Sequence, residues 1–166
     1  RIKLKDIYNY PVIHISYYEA EAYCNWAGGR LPKESEWEYL STNGGTTLYP
    51  WGNQEEYLKF CNINYDKRWV SSVNDNPKEI SLSNKNGVEQ LIGNCWEWCS
   101  DVIYPYRGFE IDPLYREMSY PFFGFKKNCR GGAWCVPETL ITSTYRNAQM
   151  PDCNIQYIGF RLVKDL

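Results

Sequence analysis

Trp96-Glu97-Trp98 sets one carboxylate between two large rings. If the rings are buried, so is the acid, and a buried carboxylate is costly unless it is paired or holds a metal. A salt bridge to an arginine and a cation held by oxygens are the two solutions, and the sequence leaves both open. Cys135 directly follows Trp134. It becomes a nucleophile only if a cation such as Arg130 or Arg146 lowers its pKa; otherwise it is a plain buried thiol. Arg146-Asn147 combines a guanidinium fork, which can grip a carboxylate with two bonds, with a neutral amide. His14 is the only histidine, so a histidine–carboxylate–serine triad would have to be built on it. Its setting, Pro11-Val12-Ile13-His14-Ile15, reads instead as a strand with a hydrogen-bonded core histidine. A three-histidine iron site cannot be assembled from a chain with one histidine. The tyrosines of Tyr104-Pro105-Tyr106-Arg107, with Tyr115 and Tyr120, are candidates to line a pocket or to stand as rim aromatics with wet hydroxyls.

The elements that must position these groups begin with Ser16-Tyr17-Tyr18-Glu19. This is a capping box, in which the Ser16 hydroxyl takes a free amide of the first turn and Glu19 reaches back. Ala20, Tyr23, Cys24 and Ala27 follow at helical spacing, and Gly28-Gly29 supplies the stop. Pro32 resets the chain, and Lys33 to Leu40 reads as a second helix with Glu34 and Glu36 in its first turn. Beyond residue 41, turn chemistry dominates, as in Asn43-Gly44-Gly45, Pro50-Trp51-Gly52-Asn53, Asn74-Asp75-Asn76-Pro77 and Asn84-Lys85-Asn86-Gly87. Short strands are expected at Cys95–Cys99, Cys129–Trp134 and Ile158–Val163. The pattern is α+β with two early helices, short strands and long ordered loops of the kind that carry function.

Composition bounds the function. The 166 residues suit one domain, and a net charge of −2 leaves no basic field for nucleic acid. No apolar run approaches the roughly 20 residues of a membrane span. Arg1-Ile2-Lys3-Leu4-Lys5-Asp6 has no apolar signal core behind it. The 7 Trp, 15 Tyr and 6 Phe are the unusual feature, fitting a fold pinned by rings or a surface made for contact. Seven cysteines leave at least one free thiol in a monomer, and none forms Cys-x-x-Cys. Reduced thiols in a cytoplasmic protein are the expected state, with disulfides as the alternative. Cys24 reads as packing on the apolar face of the first helix, and a bridge between Cys95 and Cys99 would strain a strand.

A series of motifs then sets the chain apart. They are Pro11-Val12-Ile13-His14-Ile15-Ser16, the run from Gly29-Arg30-Leu31-Pro32 to Glu36-Trp37-Glu38-Tyr39, Tyr49-Pro50-Trp51-Gly52, Gly93-Asn94-Cys95-Trp96-Glu97-Trp98, Arg130-Gly131-Gly132-Ala133-Trp134 and Gly159-Phe160-Arg161-Leu162. In this order, from Pro11 to Val163, the set resembles the formylglycine-generating enzyme (sulfatase-modifying factor) superfamily. The resemblance implies a loop-rich variant of the C-type-lectin fold, α+β with short antiparallel strands. It also implies a structural calcium held by Gln90, Gly93, Cys95 and Glu97, the first and last through side chains and the other two through carbonyls. Calcium accepts such an all-oxygen set. Gln90 stands where an acid or Asn is usual, which lowers the charge of the set.

The tail is most similar to the C-terminal domain of ergothioneine-biosynthesis sulfoxide synthases. It carries Gly108-Phe109-Glu110, Tyr115-Arg116-Glu117, Ser119-Tyr120-Pro121-Phe122-Phe123-Gly124 and Tyr145-Arg146-Asn147 with Pro151-Asp152. In those enzymes a separate helical domain supplies histidines for a non-haem iron, and the lectin-like domain caps the site. The likeness implies Trp134, Arg146, Asn147 and Gln149 around a small-molecule substrate, with Tyr115 near the oxidant and Cys135 in the cleft. Two departures stand out. Formylglycine generators use a cysteine pair to bind copper, and after Cys135 the next cysteine is Cys153. The synthases often follow Arg-Asn with Trp-Asp, and here Ala148-Gln149 replaces an acid with an amide.

Three functions follow. The first is the substrate-holding domain of an oxygen-dependent oxidoreductase that joins a thiol sulfur to a histidine derivative, its Fe2+ held by another, helical domain. The second is a non-catalytic lectin-like binding or structural module. The third is a formylglycine-generating oxidase. The chain opens late against the family pattern and reads as a single domain, 1–166, lacking the usual N-terminal strands as part of a longer polypeptide.

Overall fold

The structure is a computed structural model, and it describes residues 7–75, 82–119 and 122–165. Tyr120, Pro121 and the turn residues Asn76-Pro77 lie outside the described residues.

Both early helices form. The first, α1, spans Tyr17–Trp26, and its capping box is complete: Ser16 N donates to Glu19 Oε2 at 2.7 Å and Glu19 N donates to Ser16 Oγ at 3.3 Å. Of the expected stripe, Ala20 and Cys24 are buried and are joined by Tyr17, whereas Tyr23 faces solvent and Ala27 is the half-buried C-cap. The second, α2, spans Glu34–Ser41 and buries Trp37. Arg30 clamps its first turn with two bonds to Glu36 at 2.7 and 2.8 Å.

Between and after them runs one sheet of four strands, β1 (Trp96–Val102), β2 (Lys127–Arg130), β3 (Asn147–Gln149) and β4 (Ile158–Gly159), in the order β3-β2-β1-β4. The β1–β2 and β2–β3 pairs are antiparallel, but β4 lies parallel to β1, with Trp96 opposite Ile158. The all-antiparallel expectation is thus corrected to a mixed sheet. Trp96, Glu97, Trp98 and Cys99 are all buried, because the sheet is covered on both faces. Trp96 and Trp98 point into the cluster that contains Tyr17, Ala20 and Cys24 of α1. Cys99 belongs to the opposite cluster, around Trp37 of α2, and Glu97 meets the Trp37 indole there.

Two strands are shorter than expected, for identifiable reasons. At Gly131 and Gly132 the φ angles are +99° and +80°, a left-handed backbone that breaks the ladder after Arg130. Neither position has room for a side chain, since a Cβ at Gly131 would lie 2.8 Å from Leu91 O and one at Gly132 would strike Ile141. At the C-terminal end the chain leaves the sheet after Gly159, and Val163 pairs with Arg30 instead. The expected strand around His14 does not form either. His14 has φ +61° and is exposed, its ring 6.3 Å from that of Trp69, so the core-histidine reading is overturned.

All seven cysteines are free. Burial pushes the Cys61 thiol up to about 12 and holds Cys95, Cys99 and Cys129 above the ordinary range as well. The unfolded chain ionises these thiols near pH 9.0, while the folded chain keeps them neutral. Stability from this source is therefore fully present below about pH 9 and is lost as pH rises toward the folded values. Urea midpoints should fall steadily from pH 8.5 to 10.5, and Cys61→Ala should flatten that slope. An unchanged slope in the variant would refute this account of the core thiols.

Candidate functional site

A cavity of about 330 Å³ opens beside the sheet, walled by Tyr65, Trp96, Cys135, Val136, Pro137, Leu140, Tyr145, Asn147 and Tyr157. No charged residue lines it. Each wall has its own support. Trp96 enters from the start of β1, and Tyr145 stands 6.0 Å from it with the rings tilted by 37°. Asn147 comes from β3, where it sits opposite Cys129. Its Oδ1 accepts from Ala148 N at 2.8 Å, which leaves its side-chain N–H groups as the donors it has to offer. Tyr65 is brought in by a loop laid along the 134–136 segment, with Tyr65 N on Trp134 O at 2.7 Å and Asn64 N on Val136 O at 3.0 Å. The double-glycine bend before Ala133 turns that segment into the wall.

Two arginines, Arg130 fully buried and Arg146 half-buried, hold the Tyr145–Asn147 wall in place. Arg130 is 0% exposed and donates from Nη1 to Thr144 O and Tyr145 O, both at 2.7 Å, while its Nη2 is paired with Glu38. Burial brings its pKa down to about 10 against the pull of Glu34, so it remains a cation at neutral pH. Arg146 closes a fork on Glu34 at 2.7 and 2.8 Å and donates to Tyr104 O at 2.9 Å. Glu34 also takes Asn128 Nδ2 at 2.9 Å.

The structure brings Cys135 and Asn147 together in one cavity and leaves other candidates outside it. Trp134 packs behind the wall, 5.4 Å from the Tyr65 ring, with its indole N–H unpartnered among the described residues. Arg146 backs Asn147 and faces Glu34, and Gln149 pairs with Lys127 in the sheet. Tyr115 stands 58% exposed in a single 3₁₀ turn, Pro113–Tyr115, away from the cavity lining. The Cys135 thiol is raised by burial, not lowered by a cation, since both arginines are committed elsewhere. Tyr157 is raised by burial first and then by Cys135 and Cys153.

Gln90, Gly93, Cys95 and Glu97 do meet, lining a second cavity of about 320 Å³ together with Arg161. There Arg161 donates to Glu97 from Nε at 2.5 Å and from Nη2 at 2.6 Å, and reaches Gln90 O at 3.2 Å. Trp37 Nε1 adds a third bond to Glu97 at 2.7 Å. The salt bridge that the sequence left open is formed. Because the guanidinium already balances the one carboxylate, the set lacks the anionic excess that draws a divalent ion, and it does not fit calcium well.

Residue patterns missed Tyr65, Trp96, Tyr145 and Tyr157 as walls. Trp96 carried a signal, since a residue two before Trp98 shares its face of the strand. Tyr145 was adjacent to Arg146-Asn147, whereas Tyr65 and Tyr157 arrive on loops that no periodicity announces.

A small mixed sheet with a helix on each face and a loop-walled cavity is the architecture of formylglycine-generating-enzyme-like α+β domains. Treponema denticola variable protein 1 shares it at a TM-score of 0.73 with 21% identity, over 93% of this chain and 70% of its own. PvdO from Pseudomonas aeruginosa does so at 0.70 with 23% identity, over 95% and 63%. The chain belongs to the sulfatase-modifying factor enzyme 1-like domain family, whose model matches residues 1–166. It is 36% identical over 161 residues to the hercynine oxygenase of Mycobacterium tuberculosis, covering 94% of this chain and 37% of that protein. It is 33% identical over 170 residues to the formylglycine-generating enzyme of Mus musculus, covering 95% of this chain and 45% of that protein. The chain thus spans less than half the length of either relative.

Two outcomes follow from this geometry. Arg161→Met strands Glu97 in a buried site and should cost about 3–5 kcal/mol in denaturant unfolding, with Glu97→Gln added to it recovering part of the loss. A cost near zero would show the pair to be dispensable. Alkylation of Cys135 by iodoacetamide should still be accelerating at pH 9.0, the ordinary thiol value, because its ionisation is displaced upward. A plateau reached below pH 8 would instead reveal an activated thiolate.

Proposed function

We propose that this chain is the substrate-holding domain of an oxygen-dependent oxidoreductase that couples a thiol to a histidine derivative. The observation that carries the reading is the uncharged cavity of four aromatic rings with an amide donor, Asn147, in its wall. Aromatic faces suit both a flat imidazole and a quaternary ammonium group, which they hold without a carboxylate. Asn147 can donate to the carboxylate of such a betaine. Three of the five N–H groups of Arg146 are committed to Glu34 and Tyr104, so in this reading it supports Asn147 from behind the wall. In this reading Tyr115 and Gln149, which lie off the cavity wall, act from the side where a neighbouring domain would stand. The hercynine oxygenase relatives support an ergothioneine-pathway assignment.

The iron has no site in these residues. The chain has a single histidine, exposed beside Trp69, so a three-histidine set does not fit it. The metal would therefore sit in another domain, and the positive charge that balances Glu97 is that of Arg161. A second reading, a non-catalytic lectin-like module, draws on the raised Cys135 thiol and on the commitment of both arginines to internal partners. Copper-dependent formylglycine generation is disfavoured because Cys135 is the one cysteine in the cavity wall.

Calorimetric titration with histidine betaine tests the site. The protein should bind it, and Asn147→Ala should weaken binding about tenfold, the worth of one hydrogen bond of roughly 1.4 kcal/mol. In the full-length product, iron content and consumption of thiol plus betaine under oxygen test the chemistry. No betaine binding and no iron would leave the binding module. Uptake of copper with conversion of a peptide cysteine would revive the third function.

A further inference from the structure

We propose that Tyr65 is the specificity-determining residue of the cavity, gripping a quaternary ammonium group at the open side with the face of its ring. The backbone marks this residue. Asn64 and Tyr65 are consecutive and both left-handed, with φ angles of +56° and +63°. Asparagine adopts that conformation readily, but an aromatic residue does so rarely and at a conformational cost. Such a residue persists only where its surroundings hold it, and residues of this kind gather at ligand clamps. Asn64 N and Tyr65 N donate to Val136 O and Trp134 O, and Asn64 Oδ1 accepts from Glu138 N at 2.9 Å. Asp66 N and Arg68 N turn back onto Ile63 O and Tyr65 O, both at 3.0 Å. The loop is thus fastened on either side of Cys135, to the segment that forms the neighbouring wall. All of these bonds use the main chain of residue 65, so none of them calls for a ring there.

The ring has a position that suits a ligand. Of the four rings in the cavity wall, Trp96 is 3% exposed, Tyr157 is half-buried, Tyr145 is 37% exposed and Tyr65 is 59% exposed. Trp96 therefore forms the floor and Tyr65 stands at the mouth. The edge-to-face contact of Tyr65 with Trp134, at 88°, leaves at least one face of the Tyr65 ring uncovered. An uncovered ring face in a cavity without charged walls attracts a cation. A primary ammonium group would lose its hydration there with no carboxylate to replace it, whereas a quaternary one has no N–H to satisfy. In the betaine of an α-amino acid the quaternary nitrogen and the carboxylate are bonded to the same carbon. Tyr65 and Asn147, a ring and an amide in the wall of one cavity, can take the two charges together.

That the ligand is histidine betaine rests on the reading above, but the grip of Tyr65 on a quaternary cation does not, so two probes are needed. Binding of histidine betaine and of tetramethylammonium ion is measured by NMR titration of the full-length protein without denaturant. Tyr65→Phe keeps the ring face and should bind both probes within about twofold of the wild type. Tyr65→Asn removes the ring but suits a left-handed backbone, and it should weaken both about tenfold. Its urea midpoint should equal or exceed that of the wild type, because the conformational cost is relieved. Tetramethylammonium binding that depends on Tyr65, with no binding of histidine betaine, would uphold the grip and end the betaine reading. Betaine binding that Tyr65→Asn leaves intact would do the reverse. Betaine binding with tetramethylammonium excluded would put the ring against the imidazole and overturn the proposal. So would a lowered urea midpoint in Tyr65→Asn, a loss in Tyr65→Phe as large as in Tyr65→Asn, or no binding of either probe.

Discussion

Glu97 stands buried in the central strand, 7% exposed, and its charge sets the terms on which the rest of the molecule packs. A bare carboxylate there would be prohibitive, so every element that approaches it must bring a donor. The second helix brings the Trp37 indole, and the C-terminal segment brings Arg161. Sheet, helix and tail are therefore joined at one point 60 and 64 positions apart in sequence, and each depends on the other two for its satisfaction. A contact that satisfies a buried ion adds little over an apolar core of the same shape, but it punishes misassembly severely. The early departure of the last segment from the sheet belongs to the same logic, since Arg161 turns back onto the acid that the central strand presents.

The cavity depends on a second set of charges on the same side of the sheet. Glu34 and Glu38 of α2 face Arg130 and Arg146, and the two arginines bracket the chain on either side of Tyr145. One helix thus supplies counter-charges to both the core and the functional wall. The aromatic abundance of the chain divides accordingly. Trp37, Trp96 and Trp98 close the two faces of the sheet, while Tyr65, Tyr145 and Tyr157 dress the cavity.

What could be read from residues alone follows the reach of local physics. The capping box of Ser16 and Glu19, the Ala20–Cys24 stripe and the Pro32 reset are local rules, and both helices came out within a residue or two of expectation. The burial of Glu97 was also legible, because two flanking tryptophans leave a strand acid little choice. Its partner was open, since pairing with Arg161 is a long-range event. β3 was illegible: Asn147-Ala148-Gln149 is short and polar and has no alternation to detect. The parallel placement of β4 likewise depends on a crossover that composition does not encode. For the cavity, Cys135 and Asn147 were singled out from motif and chemistry. Tyr115 and Gln149, taken with them by resemblance, fall elsewhere, because a motif states order along the chain and not which side chains converge.

The grip of Arg130 on residues 144 and 145 is made entirely through main-chain oxygens. Such an anchor reads the path of the backbone and is indifferent to the identity of the residues it holds. Replacement of Tyr145 would alter what the hollow admits without slackening the frame behind it, provided the carbonyls stay where they are. A scaffold built this way separates heritable variation in ligand preference from variation in foldability. One domain shape can in this manner drift among very different chemistries while its architecture stays put.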